Sequence, residues 1–300
     1  MRSSLEIMNR AWEARTVIPS FNVPYHPMLD PLVKALRDSR SFGFIAVARP
    51  EWVKFQAGSP KAIYELYQQY KDERFTRLHL DHVPVIDEDG QRVDYEEIIL
   101  GALDLGFDSV MVDGSRLSLE ENIEATRRIV EAARNKEVPV EAELGAVLGH
   151  EDGPIPPYEE LFSSGRGFTD PADAEEFIRE TAAHWLSVAI GNIHGAVSLA
   201  ERDKKKVEAR LNIDHLKEIA RRAKRPLVLH GGSGIKREYL YRAFESGISK
   251  INIGTTLRQA YEEGLKDSVN TGRDMVYRKA VWLLSEELKI AGSQEILNPD

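Results

Sequence analysis

The sequence predicts an α/β protein folded as one TIM (β/α)8 barrel, and three observations carry that expectation. Short apolar runs alternate with amphipathic helical stretches along the 300 residues, the pattern of repeated βαβ units and a parallel sheet. The runs number eight, the count that closes such a sheet into a barrel. Several of them end in a polar side chain, as barrel strands do when they deliver chemistry to the mouth at their C-terminal ends.

In order, the apolar runs cover 17–23, 42–48, 77–80, 109–112, 138–144, 185–190, 226–229 and 250–253. Helical stretches lie between them at about 28–39, 59–72, 94–105, 118–135, 171–182, 213–223 and 235–246. One more helix is expected from about 255, and an extra C-terminal one over about 274–290. An open doubly wound sheet is the competing architecture, but no glycine-rich fingerprint follows the first run. No repeat or low-complexity linker divides the chain, so 1–300 reads as a single domain. Two interruptions stand out. The loop after strand five, 145–170, is rich in proline and glycine and reads as a lid or binding loop, with a disordered insertion as the plainer alternative. The other, about 195–211, contains Lys204-Lys205-Lys206.

Composition bounds the function. The chain is 42% hydrophobic and 30% charged, with net charge −9, ordinary for a globular enzyme. The lone lysine run is short and flanked by acids, so no nucleic-acid partner is expected. No apolar stretch approaches the roughly 20 residues of a membrane span, and the N-terminus has no apolar signal core. No membrane partner and a cytoplasmic location are therefore expected. Cysteine is absent, so a metal must be bound through imidazole and oxygen.

Three of the eight histidines end predicted strands: His82 the third, His194 the sixth and His230 the seventh. Singly, each is more ordinarily a surface or core residue. Together at one mouth, three imidazoles with an open fourth position describe a catalytic zinc site. The neighbouring glycines let the backbone approach a metal or ligand closely. His26, His79, His150, His184 and His215 lack that context, although His79 shares a strand face with Asp81 and suits a packing or supporting role. Asp81 either caps the next loop or works beside His82, orienting an imidazole or moving a proton. Asp113 and Glu143 end the fourth and fifth runs and put oxygen ligands on the same rim. Glu151 in the long loop is either a solvated acid or a base that closes over substrate. Gly231-Gly232-Ser233-Gly234 and Asn252-Ile253-Gly254-Thr255-Thr256 each lead into a helix, in the two places where barrels recurrently bind phosphate.

These segments resemble the class II (zinc-dependent) ketose-bisphosphate aldolases, the group that includes fructose- and tagatose-bisphosphate aldolases. The likeness runs through Phe21-Asn22-Val23, His79-Leu80-Asp81-His82, Ser109 to Ser115, Glu120 to Ile123 and Glu141 to Gly145. It continues through Glu151-Asp152, Gly191 to Gly195, Leu229 to Gly234 and Lys250 to Ile253. The resemblance implies Zn2+ on His82, His194 and His230, with Glu143 and Asp113 able to take the metal in an alternate position. It implies Asp81 as the acid serving the nascent aldehyde oxygen and Glu151 as the loop base acting on dihydroxyacetone phosphate. Asn22 and Asn252 are implied as substrate contacts, and Gly195, Gly232, Ser233 and Thr255 as a phosphate cradle that often also holds a monovalent cation (Na+ or K+). The implied partners are a phosphorylated ketose and dihydroxyacetone phosphate, in a homodimer or homotetramer.

The chain departs from the family pattern at the substrate rim. Where the family commonly has Gln and Ser two residues apart, this chain reads Ala46-Val47-Ala48-Arg49, and Arg49 adds a charge suited to an anionic substrate group. After His194 an aromatic, a lysine, a glycine and a proline give way to Ala196-Val197-Ser198-Leu199, and Thr256 replaces a residue that is often acidic. The expected function is reversible cleavage of a phosphorylated ketose, fructose- or tagatose-bisphosphate-like. The alternatives are a non-catalytic sugar-phosphate-binding subunit and an aldolase for a monophosphate or sulfonated ketose. A metal-dependent barrel hydrolase ordinarily starts from two histidines one residue apart on its first strand, and this chain has none there.

Overall fold

The structure, a computed structural model, describes residues 1–145, 158–192, 209–232 and 235–299. Eight parallel strands pair in sequence order and close, β8 against β1. They are β1 (Ile18–Asn22), β2 (Gly43–Ala48), β3 (Thr76–Pro84), β4 (Ser109–Asp113), β5 (Val140–Leu144), β6 (Trp185–Val188), β7 (Leu227–Leu229) and β8 (Ile248–Ile253). All eight lie where the apolar runs place them, because a strand buried on both faces must be apolar nearly throughout. β3 runs past its apolar run to Pro84, and that extension carries the site.

Helices follow the strands as expected, with additions. An N-terminal helix, Ser4–Glu13, starts in a capping box between Ser3 and Glu6. A short helix, Arg49–Val53, follows β2, and another, Tyr158–Ser164, lies within the long connection after β5. Of the two C-terminal helices expected, the first is Thr255–Leu265 and the second is Val269–Trp282, which starts earlier than the expected 274. They cross so tightly that a Cβ on Gly264 would meet Gly272 Cα at 2.6 Å. Among the described residues, no helix is long and apolar enough to cross a membrane.

Alternation along the strands sorts the core. Val140, Ala142 and Leu144 on β5, Leu78 and Leu80 on β3, and Ile251 and Ile253 on β8 join the large apolar cluster of the barrel. Their neighbours Glu141, Glu143, His79, Asp81, Lys250 and Asn252 occupy the alternate positions and are also buried. At the strands' N-terminal ends a second apolar cluster joins Ile18, Phe44, Trp185 and Val228 to Ile7, Met8 and Ala11 of the first helix. Each of the larger aliphatic and phenylalanine side chains among them contributes about 1.5–3 kcal/mol on full burial. That apolar floor closes one end of the barrel, and the charged side chains stand above it.

Candidate active site

A bulge in β3 builds the centre of the site. The β3–β4 pairing passes from Leu80↔Val110 to Val83↔Val112, three residues on one strand against two on the other. In a regular strand Asp81 and His82 would face opposite sides. Here His82 takes φ +33°, a left-handed conformation rare outside glycine, and both side chains reach one polar cluster. Holding a non-glycine residue there costs on the order of 1–3 kcal/mol, a cost typical of functional sites.

His82 Nε2 and His230 Nδ1 face each other within hydrogen-bonding range. On the far side of each ring is a carboxylate: His82 Nδ1 lies 3.3 Å from Asp113 Oδ2, and His230 Nε2 lies 2.9 Å from Glu141 Oε1. Glu143 Oε2 approaches both rings, at 3.8 Å from His82 Nδ1 and 3.7 Å from His230 Nδ1. Asp81 completes a group with His82 and His230 whose ligand atoms lie within 4.8 Å of one another. Its Oδ2 accepts from Asn22 Nδ2 at 2.9 Å and its Oδ1 from Asn252 Nδ2 at 2.8 Å. The other amide oxygen, Asn252 Oδ1, is buried without a hydrogen-bond partner among the described residues.

The electrostatics are those of an acid-rich cavity. Burial opposes charge on His82, but Asp81, Asp113 and Glu143 outweigh it and push its pKa up to about 10. Burial and repulsion from Asp113 push Glu143 up to about 8. Asp81 is held well below the usual carboxylate range: burial works against ionisation, and the charges of His82 and Lys250 override it. Two imidazole nitrogens directed at one point, ringed by surplus negative charge, fit a divalent cation, since the cation satisfies both lone pairs and offsets the carboxylates. His82 and His230 with Asp81, or His82 with Asp113 and Glu143, are the groups that could hold it.

The structure thus brings His82, His230, Asp81, Asn22, Asn252, Asp113 and Glu143 together. His194, Gly195, Glu151 and Ser233 lie outside the described residues. On the phosphate side, Gly231 sits at φ +67°. A Cβ on Gly232 would meet Ile251 Cδ1 at 2.6 Å, so the turn packs against β8 only without a side chain there. Thr255 opens its helix, whose first N–H groups are the kind that receive an anion. Arg49 Nη1 lies 3.3 Å from Asp87 Oδ2.

Several residues at the site escaped sequence reasoning. Glu141 and Lys250 sit two residues before Glu143 and Asn252, so strand alternation could have found them. Glu51, on the short helix after β2, accepts a hydrogen bond from the Ala48 N–H. Burial, with repulsion from Asp81, pushes its pKa up to about 8. No periodicity points to it. Asn192 ties two strand ends together, accepting from Ile190 N at 2.8 Å and donating to His230 O at 3.0 Å.

Comparison with known proteins finds relatives along nearly the whole chain. The family model described as fructose-bisphosphate aldolase class-II matches residues 2–294. The fructose-bisphosphate aldolase of Geobacillus stearothermophilus is 29% identical over 268 residues, spanning 88% of this chain and 84% of that protein. The crystal structure of the YdjI aldolase from Escherichia coli K12 superimposes with a TM-score of 0.76 at 27% identity, covering 98% of this chain and 100% of the other. The fructose-bisphosphate aldolase from Campylobacter jejuni, at 19% identity and a TM-score of 0.73, covers 96% of this chain and 94% of its own, a likeness of fold.

Proposed function

Because this chain belongs to the class II fructose-bisphosphate aldolase family and is a metal-dependent lyase of that kind, we propose that it cleaves a phosphorylated ketose reversibly. The products are dihydroxyacetone phosphate and an aldehyde, and the metal is Zn2+. The observation that carries this reading is Asp81, gripped by two asparagine amides beside the paired imidazoles of His82 and His230.

A cation bound by His82 and His230, with His194 as the proposed third ligand, supplies Lewis acidity where negative charge grows beside the ketone. The remaining work falls to side chains. Asp81, ionised and fixed by Asn22 and Asn252, takes the proton of the substrate hydroxyl during cleavage and returns it during condensation. The unpartnered Asn252 Oδ1 accepts a hydrogen bond from a substrate hydroxyl. Glu151 is proposed as the base for the proton on the dihydroxyacetone phosphate carbon. Gly195, Gly232, Ser233 and Thr255 are proposed to cradle the phosphate, with Na+ or K+ beside it. Asp113 and Glu143 offer the cation a second position. Assembly as a homodimer or homotetramer and a cytoplasmic setting complete the proposal.

The test is a coupled assay for dihydroxyacetone phosphate release on purified protein of known metal content. About one zinc per chain and loss of cleavage on chelation are expected; full cleavage by metal-free protein overturns the reading.

The rim after β2 bears on which ketose is used. Arg49 and Glu51 share one short helix, and Arg49 is already paired with Asp87. A second anionic group on the substrate would meet attraction from Arg49 and repulsion from Glu51, which favours considering monophosphorylated or sulfonated ketoses beside bisphosphates. Arg49→Ala should raise the KM for a bisphosphate more than for a monophosphate. Glu51 is neutral below its raised pKa and anionic above it. The bisphosphate KM should therefore climb as pH rises through about 8, or lower when a bound cation favours the charged form. Glu51→Gln should flatten that climb. Equal KM profiles for parent and variant across pH would remove Glu51 from substrate selection.

A further inference from the structure

Below the two imidazoles, a chain of fully buried side chains crosses the barrel interior. Lys250 Nζ on β8 lies 2.8 Å from Glu141 Oε2 on β5 and 3.2 Å from His79 Nε2 on β3. His79 Nδ1 lies 2.8 Å from Ser109 Oγ on β4, and Glu141 Oε1 lies 2.9 Å from His230 Nε2. Glu141, Lys250, His79 and His230 are all 0% exposed. We propose that Lys250 and Glu141 are positioning residues that decide which nitrogen of His230 carries the proton, and so whether this ring can take a metal.

The argument is one of donors and acceptors. An ammonium only donates, so the bond to His79 requires Nε2 of that ring to accept; its Nδ1 then bears the hydrogen and donates to Ser109. Ionised Glu141 only accepts. With Oε2 taken by Lys250, its Oε1 receives a hydrogen from His230 Nε2, and the lone pair of His230 Nδ1 is left directed at His82 and the metal position. A buried ion pair is a poor device for stability, since an apolar pair of similar volume often does as well or better. Setting a proton pattern is something an apolar pair cannot do. Lys250 is equally unsuited to attack a substrate carbonyl, being fully enclosed and committed to Glu141 and His79.

The inference rests on the reading of His230 as a metal ligand, and its test reads metal affinity and ring tautomer, not turnover. In Glu141→Gln the amide has one accepting and one donating end. Lys250 draws the amide oxygen toward itself and turns the NH2 toward His230, whose Nε2 must then accept. The ring proton moves to Nδ1, into the metal position. Zn2+ affinity, measured by chelator competition, should fall about 10–100-fold. In Glu141→Gln with Lys250→Met the amide is no longer held by the ammonium and can present its oxygen to His230, so affinity should recover by at least about tenfold, a coupling that independent effects would not produce. Nitrogen NMR of labelled, metal-free protein should show the Nε2–H tautomer of His230 in the parent and the double variant, and Nδ1–H in Glu141→Gln.

A double variant as weak as Glu141→Gln, or one tautomer in all three proteins, overturns the proposal. Glu141→Gln leaves a buried ammonium without its counter-charge, which destabilises the single variant. The double variant is therefore also compared with Glu141→Leu, Lys250→Met, which offers His230 no acceptor. Tighter zinc binding by the glutamine version supports the inference and equal binding overturns it. A protein that shows this pattern without releasing dihydroxyacetone phosphate loses the proposed reaction alone; one that cleaves ketose without the pattern loses this inference alone.

Discussion

His230→Ala should purify without stoichiometric zinc and release dihydroxyacetone phosphate at least about 1,000-fold more slowly than the parent. The proposed metal stabilises the developing charge by several kcal/mol, and each 1.36 kcal/mol is a factor of ten in rate. The substitution removes one of the two imidazoles that face each other and deprives Glu141 of the ring it accepts from. It also leaves a void at a fully buried position, so some loss of stability accompanies the loss of metal. Metal analysis and the coupled assay, read at a temperature where the variant is folded, separate the two effects. Parental turnover in this variant would remove His230 from the metal centre.

Asp81→Asn should lower kcat by about 100- to 10,000-fold, the range for a lost general acid–base group, while zinc content stays at the parental level. The proposed imidazole ligands His82 and His230 are untouched by the change and are expected to keep the cation, although an oxygen of Asp81 lies in their cluster. Asp81 accepts from two amides, Asn22 and Asn252, and an asparagine can accept from only one of them. The other amide then faces a donor, which costs roughly 1–3 kcal/mol of stability and should appear as a lower melting temperature. A KM within a few-fold of the parent places the loss in the chemical step. Unchanged kcat, or a loss that follows zinc content alone, would return Asp81 to a purely structural role.

Much of the barrel was legible because parallel strands covered on both faces leave little room for polar residues except at the mouth. His82, Asp81, His230, Asp113 and Glu143 stood out for that reason: each interrupts or ends an apolar run. The N-terminal helix was missed although Ser3 and Glu6 form a capping box, because no strand precedes it to set the alternating pattern. The start of the last helix at Val269, ahead of the expected 274, was not legible either. It depends on Gly264 and Gly272 meeting where two helices cross, a contact that no local period records. Glu51 was hidden for a similar reason, since its short helix has too few turns to show an inward face.

The sequence by itself determined the barrel, the strand ends where the candidate site gathers, and a donor set of imidazole and oxygen without thiolate. The tertiary structure decided how those groups act together. One extra residue in β3 turned Asp81 and His82, neighbours that alternation would separate, toward a common centre. Closure of the sheet carried His230 to His82 across 148 positions and Lys250 to Glu141 across 109. Periodicity registers only which face a residue takes within its own strand. Which charge neutralises which, and where each proton sits, follows from side chains meeting inside a closed barrel.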